Sequence, residues 1–478
     1  MGYKTGVNKY QTILLPDCLD NYVSENHICR VIDAFVEQLD MAELKFKYAT
    51  PSDVGCRPYS PKMMLKLYIY GFLNRVRSSR RLETETQRNV EVMWLMYKLT
   101  PDDKTICNFR RDNAKAIKSA FRVFSEMCND WGLYGKEVVA VDGTKIRANN
   151  SRKNNHNLTT VKRKLKWLDK RIAEYMTALD ENDKADENEI KPSAEGIKEI
   201  LEILNGKKDK FDCLLSQIEA NSGTEVSTVD EDARLMKQSG NAGLDVCYNV
   251  QSVVDSKNGL IVDIDVTNSS VDRGELFSMT EKAKEIMEVD EITALADRGY
   301  YESADIVKCE EKSTNCLVSK PDTAHRVDDK NYFRDKFIYN HETDKYICPE
   351  HNLLKFMRDQ ELKGIKYRVY ANYGACRVCP NKDKCTKSKQ GRQILRSEYQ
   401  DTMDIVDNRT KVNNELYKTR QKIVEAPFGT IKRIWGYGNF LCRGLEKVTG
   451  EAYLAFLAYN LRRVINIVGT NKLIAALK

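Results

Sequence analysis

No stretch of this chain approaches the roughly 18 uncharged apolar residues that a membrane-spanning helix needs, which excludes a helical membrane protein. The N-terminus lacks the basic, apolar and small-residue series of a secretory signal, so a cytoplasmic protein is expected. Histidine is scarce at five residues, and His27, His156, His325 and His341 form no ligand pattern. A strong excess of one charge is also missing. The formal net charge of +7 over 478 residues says little by itself about partners. Fourteen cysteines without an export signal are expected to be reduced thiols, and any tight cluster of them to be a metal site rather than disulfides.

The distribution of charge says more than its sum. Between Arg409 and Asn466 there are eleven Lys/Arg against four Asp/Glu, and the stretch from Arg57 to Arg88 is also basic. Local patches of this kind suit a polyanion, although each is equally a solvated helix face. The length predicts two to four domains.

Residues 1–132 read as helical. Pro61 opens the run Pro61–Leu73 at the position favoured for a first helical turn, and Arg75, Arg77, Arg80 and Arg81 follow. Pro101-Asp102-Asp103 punctuates before Asn108-Phe109-Arg110-Arg111. Short helices edged with arginine suggest a DNA-binding domain of helix-turn-helix type; the alternative is a bundle that only packs on the rest.

From about residue 135 the apolar period changes. Short strand-like runs fall at Val138–Val141, Leu244–Val254, Leu260–Val266, Ile292–Ala296 and Asn315–Val318, with helices at about 271–288 and 302–311. This order matches a ribonuclease H-like α/β core, a mixed five-stranded sheet with helices, over 133–150 and 236–324. Residues 401–478 complete it with a further helix and a tail helix from about Gly450 to Val468. Two insertions interrupt the core. In 151–235, Val161, Leu165, Leu168, Ile172, Tyr175 and Leu179 recur at spacings of four and three. Ile197, Leu201, Leu204, Phe211, Leu215 and Ile218 repeat the pattern around Lys208, as in an antiparallel helical hairpin. In 325–400, Cys348 precedes Cys376-x2-Cys379-x5-Cys385, four soft ligands that suit structural Zn²⁺. His351 could replace Cys348, and the other reading is reduced cysteines acting as small apolar residues.

Three acidic residues stand in distinctive frames: Asp142 in Val141-Asp142-Gly143-Thr144, Asp297 in Ala296-Asp297-Arg298-Gly299-Tyr300, and Glu425 in Val424-Glu425-Ala426-Pro427-Phe428-Gly429. The first two are expected to end the first and fourth strands, and the third to lie on a basic helix. Converging carboxylates bind Mg²⁺ or Mn²⁺, and a pair of such ions drives in-line phosphoryl transfer. Singly, Asp142-Gly143 is also a common turn dipeptide.

With Arg57-Pro58-Tyr59-Ser60-Pro61 and Asp230-Glu231-Asp232-Ala233-Arg234, these frames resemble the DDE transposases of bacterial insertion sequences, in the branch with a helical N-terminal DNA-binding domain and a cysteine-containing insert. The resemblance implies that Asp142, Asp297 and Glu425 form the catalytic triad on two metal ions. It implies double-stranded DNA as partner, both the terminal inverted repeats and the target. It also implies a homodimer or larger assembly, associated with the nucleoid when bound. Related enzymes carry Y-x2-R-x3-E-x6-K; here Tyr417, Arg420, Glu425 and Lys432 give Y-x2-R-x4-E-x6-K. Lys432 would share a helical face with Glu425 and reach DNA phosphate. Arg420 falls roughly 140° around the helix from Glu425, so Lys422 could take its place, while Pro427 is expected to disturb the helix. Tyr417 reads equally as a DNA contact or a packed aromatic. The alternative function is a transposase-derived DNA-binding protein without catalysis.

Overall fold

The computed structural model describes residues 18–50, 57–182, 194–220, 225–238, 243–321, 329–362 and 364–478. Strands β1 (Val138–Arg147), β2 (Arg234–Lys237), β3 (Leu244–Asp255), β4 (Ile261–Thr267), β5 (Ile292–Ala296) and β6 (Thr314–Val318) form one mixed sheet. Its order is β4-β3-β1-β5-β6, with β2 beside β4 on the outer edge of β3. β1, β3 and β4 pair antiparallel, whereas β1, β5 and β6 run parallel. Parallel neighbours need a crossover, and the helices Leu276–Met287 and Ser303–Glu311 supply it. This mixed α/β arrangement is consistent with a ribonuclease H-like core. β1 departs from expectation in one respect: it does not end at Asp142 but continues to Arg147, because β3 pairs with it as far as Arg147.

The helix Leu445–Val468 joins the N-terminal helices to the sheet. Its apolar positions Leu454, Leu457, Leu461 and Val464 are fully buried, and it packs against β4 on one side and the helices Pro61–Leu73 and Ala114–Asp130 on the other. A single hydrophobic cluster therefore runs from the N-terminal helices into the sheet. The frame at 230–234 is explained here: Asp232 Oδ2 accepts the Leu445 N–H at 2.8 Å and Asp230 Oδ1 accepts the Gly444 N–H at 3.1 Å. Acidic acceptors at a helix start satisfy otherwise unpaired N–H groups and oppose the helix dipole.

The N-terminal helices include Pro61–Leu73, with proline in its first turn, and Asp103–Asp112, capped by Asp102 through the Thr105 N–H at 2.8 Å. Lys66 is wholly buried and held by Asp33 and Glu37, both at 2.6 Å. The insertion after β1 contains two long helices, Leu158–Asn182 and Ala194–Ala220, packed on each other. Lys208, which interrupts the apolar repeat, pairs with Asp169 across the hairpin at 2.6 Å. Most of the connecting stretch, with Pro192, and His325 lie outside the described residues. The cysteine-containing insertion is built on a five-stranded antiparallel sheet, Ile338–Asn340, Lys345–Ile347, Leu353–Leu362, Ile365–Ala371 and Gln393–Ser397.

Candidate active site

Strand register brings two of the three acidic frames together. Val141 on β1 is paired with Ala296 on β5, and the next residue of each strand is an aspartate. β5 ends there while β1 continues, so Asp142 is paired with Ser252 of β3 on one side and has no strand on the β5 side. Asp297 turns into a short 3₁₀ segment, Arg298–Tyr300, and accepts the Gly299 N–H at 2.7 Å. Asp142 accepts the Gly143 N–H at 2.9 Å. Burial, reinforced by the charges of Asp297 and Asp272, pushes the Asp142 carboxyl up to about 7, although the Arg420 guanidinium pulls the other way.

A residue absent from the sequence reading completes this pocket. Asp272, from the loop between β4 and the helix Leu276–Met287, accepts Asn249 Nδ2 and Gln251 Nε2 on its Oδ1, each at 2.7 Å. Nothing in the spacing of Asp272 marked it; its partners are on β3, and only the β1–β3 pairing brings them to the site. The same pairing corrects the turn reading of Asp142-Gly143, since Gly143 is in mid-strand opposite Gln251. A Cβ at Gly143 would lie 2.5 Å from Asp272 Oδ1 and 2.6 Å from Gln251 Nε2. Glycine is required there because Asp272 closes over the strand, not because the backbone turns.

Glu425 is on the helix Asn414–Phe428, which packs on β1, β3 and β5, but its carboxylate is exposed and bonded to Gln421 Nε2 at 2.7 Å. Arg420 occupies the inward position instead, with its guanidinium 3.5 Å from Asp142 Oδ2. The helical offset between the two residues makes these placements one fact: with one facing Asp142, the other turns away. Among the described residues the only His, Cys, Asp or Glu trio whose ligand atoms all fall within 4.8 Å of one another is His27, Cys29 and Glu91. That trio lies in the N-terminal helices, where His27 Nδ1 already accepts the Cys29 N–H and burial drives the Cys29 thiol far above its ordinary pKa.

Lys432 corrects another expectation. Residues 429–434 form a π-helical turn after Pro427, so the simple helical register that would align Lys432 with Glu425 is lost. Its ammonium is directed into the sheet, bonding Thr144 Oγ1 at 3.0 Å and the Lys145 carbonyl at 2.9 Å. Burial holds it below the ordinary lysine value. Tyr417 is partly buried against the core, and Lys422 is exposed. Arg77 is committed to an internal contact, donating to the Asn439 carbonyl at 2.9 Å and lying 4.8 Å over the Tyr437 ring. Arg80 and Arg81 are exposed, Arg80 facing Asp103 at 3.3 Å.

The four cysteines of the insertion, Cys348, Cys376, Cys379 and Cys385, line one cavity of about 30 Å³. Cys348 Sγ accepts the Asn352 N–H at 3.3 Å across the turn Pro349–His351. Their charges act on one another, and burial raises Cys385 to about 11.

The donor chemistry suits cations of two kinds. Adjacent part-buried carboxylates suit a hard divalent ion with oxygen ligands, and clustered thiols suit zinc. Comparison with known families agrees with the first. Residues 347–465 match a family described as the transposase DDE domain, and residues 17–112 match a transposase domain (DUF772). No curated protein and no solved structure matches the chain. Among the described residues no helix is long and apolar enough to cross a membrane.

Proposed function

We propose, from the premise that this chain is a transposase with a DDE catalytic domain, that it cuts DNA at the terminal inverted repeats of its own element and joins the freed 3′ ends to target DNA. The observation that carries this reading is the side-by-side emergence of Asp142 and Asp297 from paired parallel strands. Asp142 and Asp297 would hold Mg²⁺ or Mn²⁺, with Glu425 as third carboxylate by family resemblance. When bound, such ions supply an activated oxygen nucleophile and stabilise the leaving oxygen. Hydrolysis and strand transfer then differ only in which oxygen attacks, so one site serves both.

The surrounding residues act by charge and position. Arg420 partly neutralises Asp142 and would do the same for a phosphate brought to that carboxylate. Lys432 fixes the segment of β1 that follows Asp142. Lys422, Arg80 and Arg81 are exposed cations suited to phosphate, and Tyr417 packs against the core five residues before Lys422. Arg77 serves the contact between the N-terminal helices and the core. Zn²⁺ on Cys348, Cys376, Cys379 and Cys385 would stabilise the insertion, whose own apolar cluster is small. Two DNA ends must be held at once, so a dimer or larger assembly on DNA is part of the proposal.

The test is a labelled duplex that carries the element's own end, incubated with the protein, Mg²⁺ and an unlabelled target. End-specific nicking followed by joined product supports the reading. Specific binding with neither product, under conditions where a related enzyme cuts its own end, points instead to a DNA-binding protein without catalysis.

A further inference from the structure

The oxygen atoms of Asp272 have unequal surroundings. Oδ1 takes both side-chain amides, from Asn249 and Gln251, and both donors are completely buried on β3. Gln251 is fixed in turn, since its Oε1 accepts the hydroxyl of the buried Tyr300. Oδ2 takes no hydrogen bond among the described residues. It faces the turn after β5, where a Cβ at Gly299 would stand 3.3 Å from Asp272 Oδ2 and 2.8 Å from Asp297 Oδ1. The glycines at 143 and 299 therefore leave room for the Asp272 carboxylate beside both the strand that carries Asp142 and the turn that follows Asp297.

A second observation is a buried acceptor that the protein's own donors leave unpaired. Asn249 has no exposed surface, yet its Oδ1 has no hydrogen-bond partner. That atom is 3.1 Å from the position a Gly143 Cβ would take, on the same side as Asp272. A buried acceptor without a donor is costly, about 1–3 kcal/mol, and is normally satisfied by water or an ion. Three carboxylates and an orphaned amide oxygen share this end of the sheet; Arg420, 3.5 Å from Asp142, offsets part of the negative charge, and a divalent ion or its bound water would offset more. Mg²⁺ retains several waters and is commonly held by only one or two carboxylates directly.

We propose that Asp272 is a further acidic member of the metal centre, its Oδ2 accepting the divalent ion or the water bound to it, with Asn249 and Gln251 as positioning residues. The proposal rests on the metal-dependent reading of Asp142 and Asp297. It explains why the chain spends two buried amides on one loop carboxylate. With Glu425 turned outward, it also gives the site a third carboxylate before DNA is bound.

The experiment is Mn²⁺ binding to the full-length protein without DNA, followed by calorimetry and by the Mn²⁺ paramagnetic resonance signal. Wild type is compared with Asp272→Asn, Asp272→Ser, Asp297→Ala and the neighbouring control Glu275→Gln. Asp272→Asn retains an oxygen for the two amides, so its melting temperature should stay close to wild type, and Asp272→Ser covers the case in which it does not. The expected result is Mn²⁺ affinity lowered at least tenfold in both Asp272 variants and in Asp297→Ala, with Glu275→Gln unchanged. Asp272 variants that bind Mn²⁺ within twofold of wild type, while Asp297→Ala does not, overturn this proposal and leave the metal centre standing. Unchanged binding in Asp297→Ala as well removes the metal centre and this proposal together.

Discussion

Asp142 and Asp297 are neighbours because Val141 and Ala296 are a registered pair on adjacent parallel strands, each followed at once by its aspartate. The consequence is a carboxyl that resists ionisation: Asp142 is pushed up to about 7 by burial and by the acidic groups beside it. A folded-state pKa above the unfolded value means the native state binds more protons between the two, so stability falls as pH rises through that window. Metal-free protein should therefore melt at progressively lower temperature from pH 5 to pH 8. Asp142→Asn should flatten that slope, and Mg²⁺ should restore more stability at pH 8 than at pH 6. Arg420→Ala, which removes the opposing charge, should shift the metal-dependent gain to higher pH. Differential scanning fluorimetry at fixed ionic strength reads all four outcomes; identical slopes for wild type and Asp142→Asn would remove the explanation.

Lys432 should be a stability residue. Replacing it with methionine keeps the apolar stem but leaves Thr144 Oγ1 and the Lys145 carbonyl without their donor. Loss of a part-buried charged donor costs about 1.5–3 kcal/mol. Urea unfolding should show that loss in the absence of DNA, where an exposed DNA-contacting lysine would show none.

The cysteine-containing insertion should hold metal of its own. Protein purified without chelator should contain one zinc per chain by elemental analysis, and Cys376→Ser with Cys379→Ser should contain none. Removing the ion should expose the strands Leu353–Leu362 and Ile365–Ala371 to protease before the catalytic core is cut. Zinc-free wild type with unchanged protease resistance would return these cysteines to the role of small apolar residues.

The strands of the core were legible because their apolar runs are short, branched and bounded; Ile292–Ala296 falls where its composition predicts. The tail helix was legible from its apolar spacing, and the hairpin from two matching repeats. What could not be read were features made by pairing between distant segments. Asp272 belongs to the site through Asn249 and Gln251, and no local pattern signals that. Arg77 looks like any surface arginine until Tyr437 and Asn439 are brought beneath it. The inward turn of Arg420 and outward turn of Glu425 depend on how one helix rotates against three strands. The π-helical turn after Pro427 redirects Lys432, an effect invisible to a spacing rule that assumes regular helix. The sheet of the insertion is not legible because its longest strand, Leu353–Leu362, is mostly exposed and its apolar residues do not alternate with polar ones, so it lacks the pattern that marks a half-buried strand.

The most direct test of the central claim is cleavage of a duplex carrying the element's own end by wild type and by Asp297→Ala, with Mg²⁺ or Mn²⁺, measured beside binding of the same duplex. The account predicts end-specific nicking by wild type, at least a hundredfold less by the variant on the scale of a disrupted metal site, and equal binding by both. Nicking by Asp297→Ala at the wild-type rate would contradict it, because the carboxylate pair at the end of β5 would then not be the cutting centre.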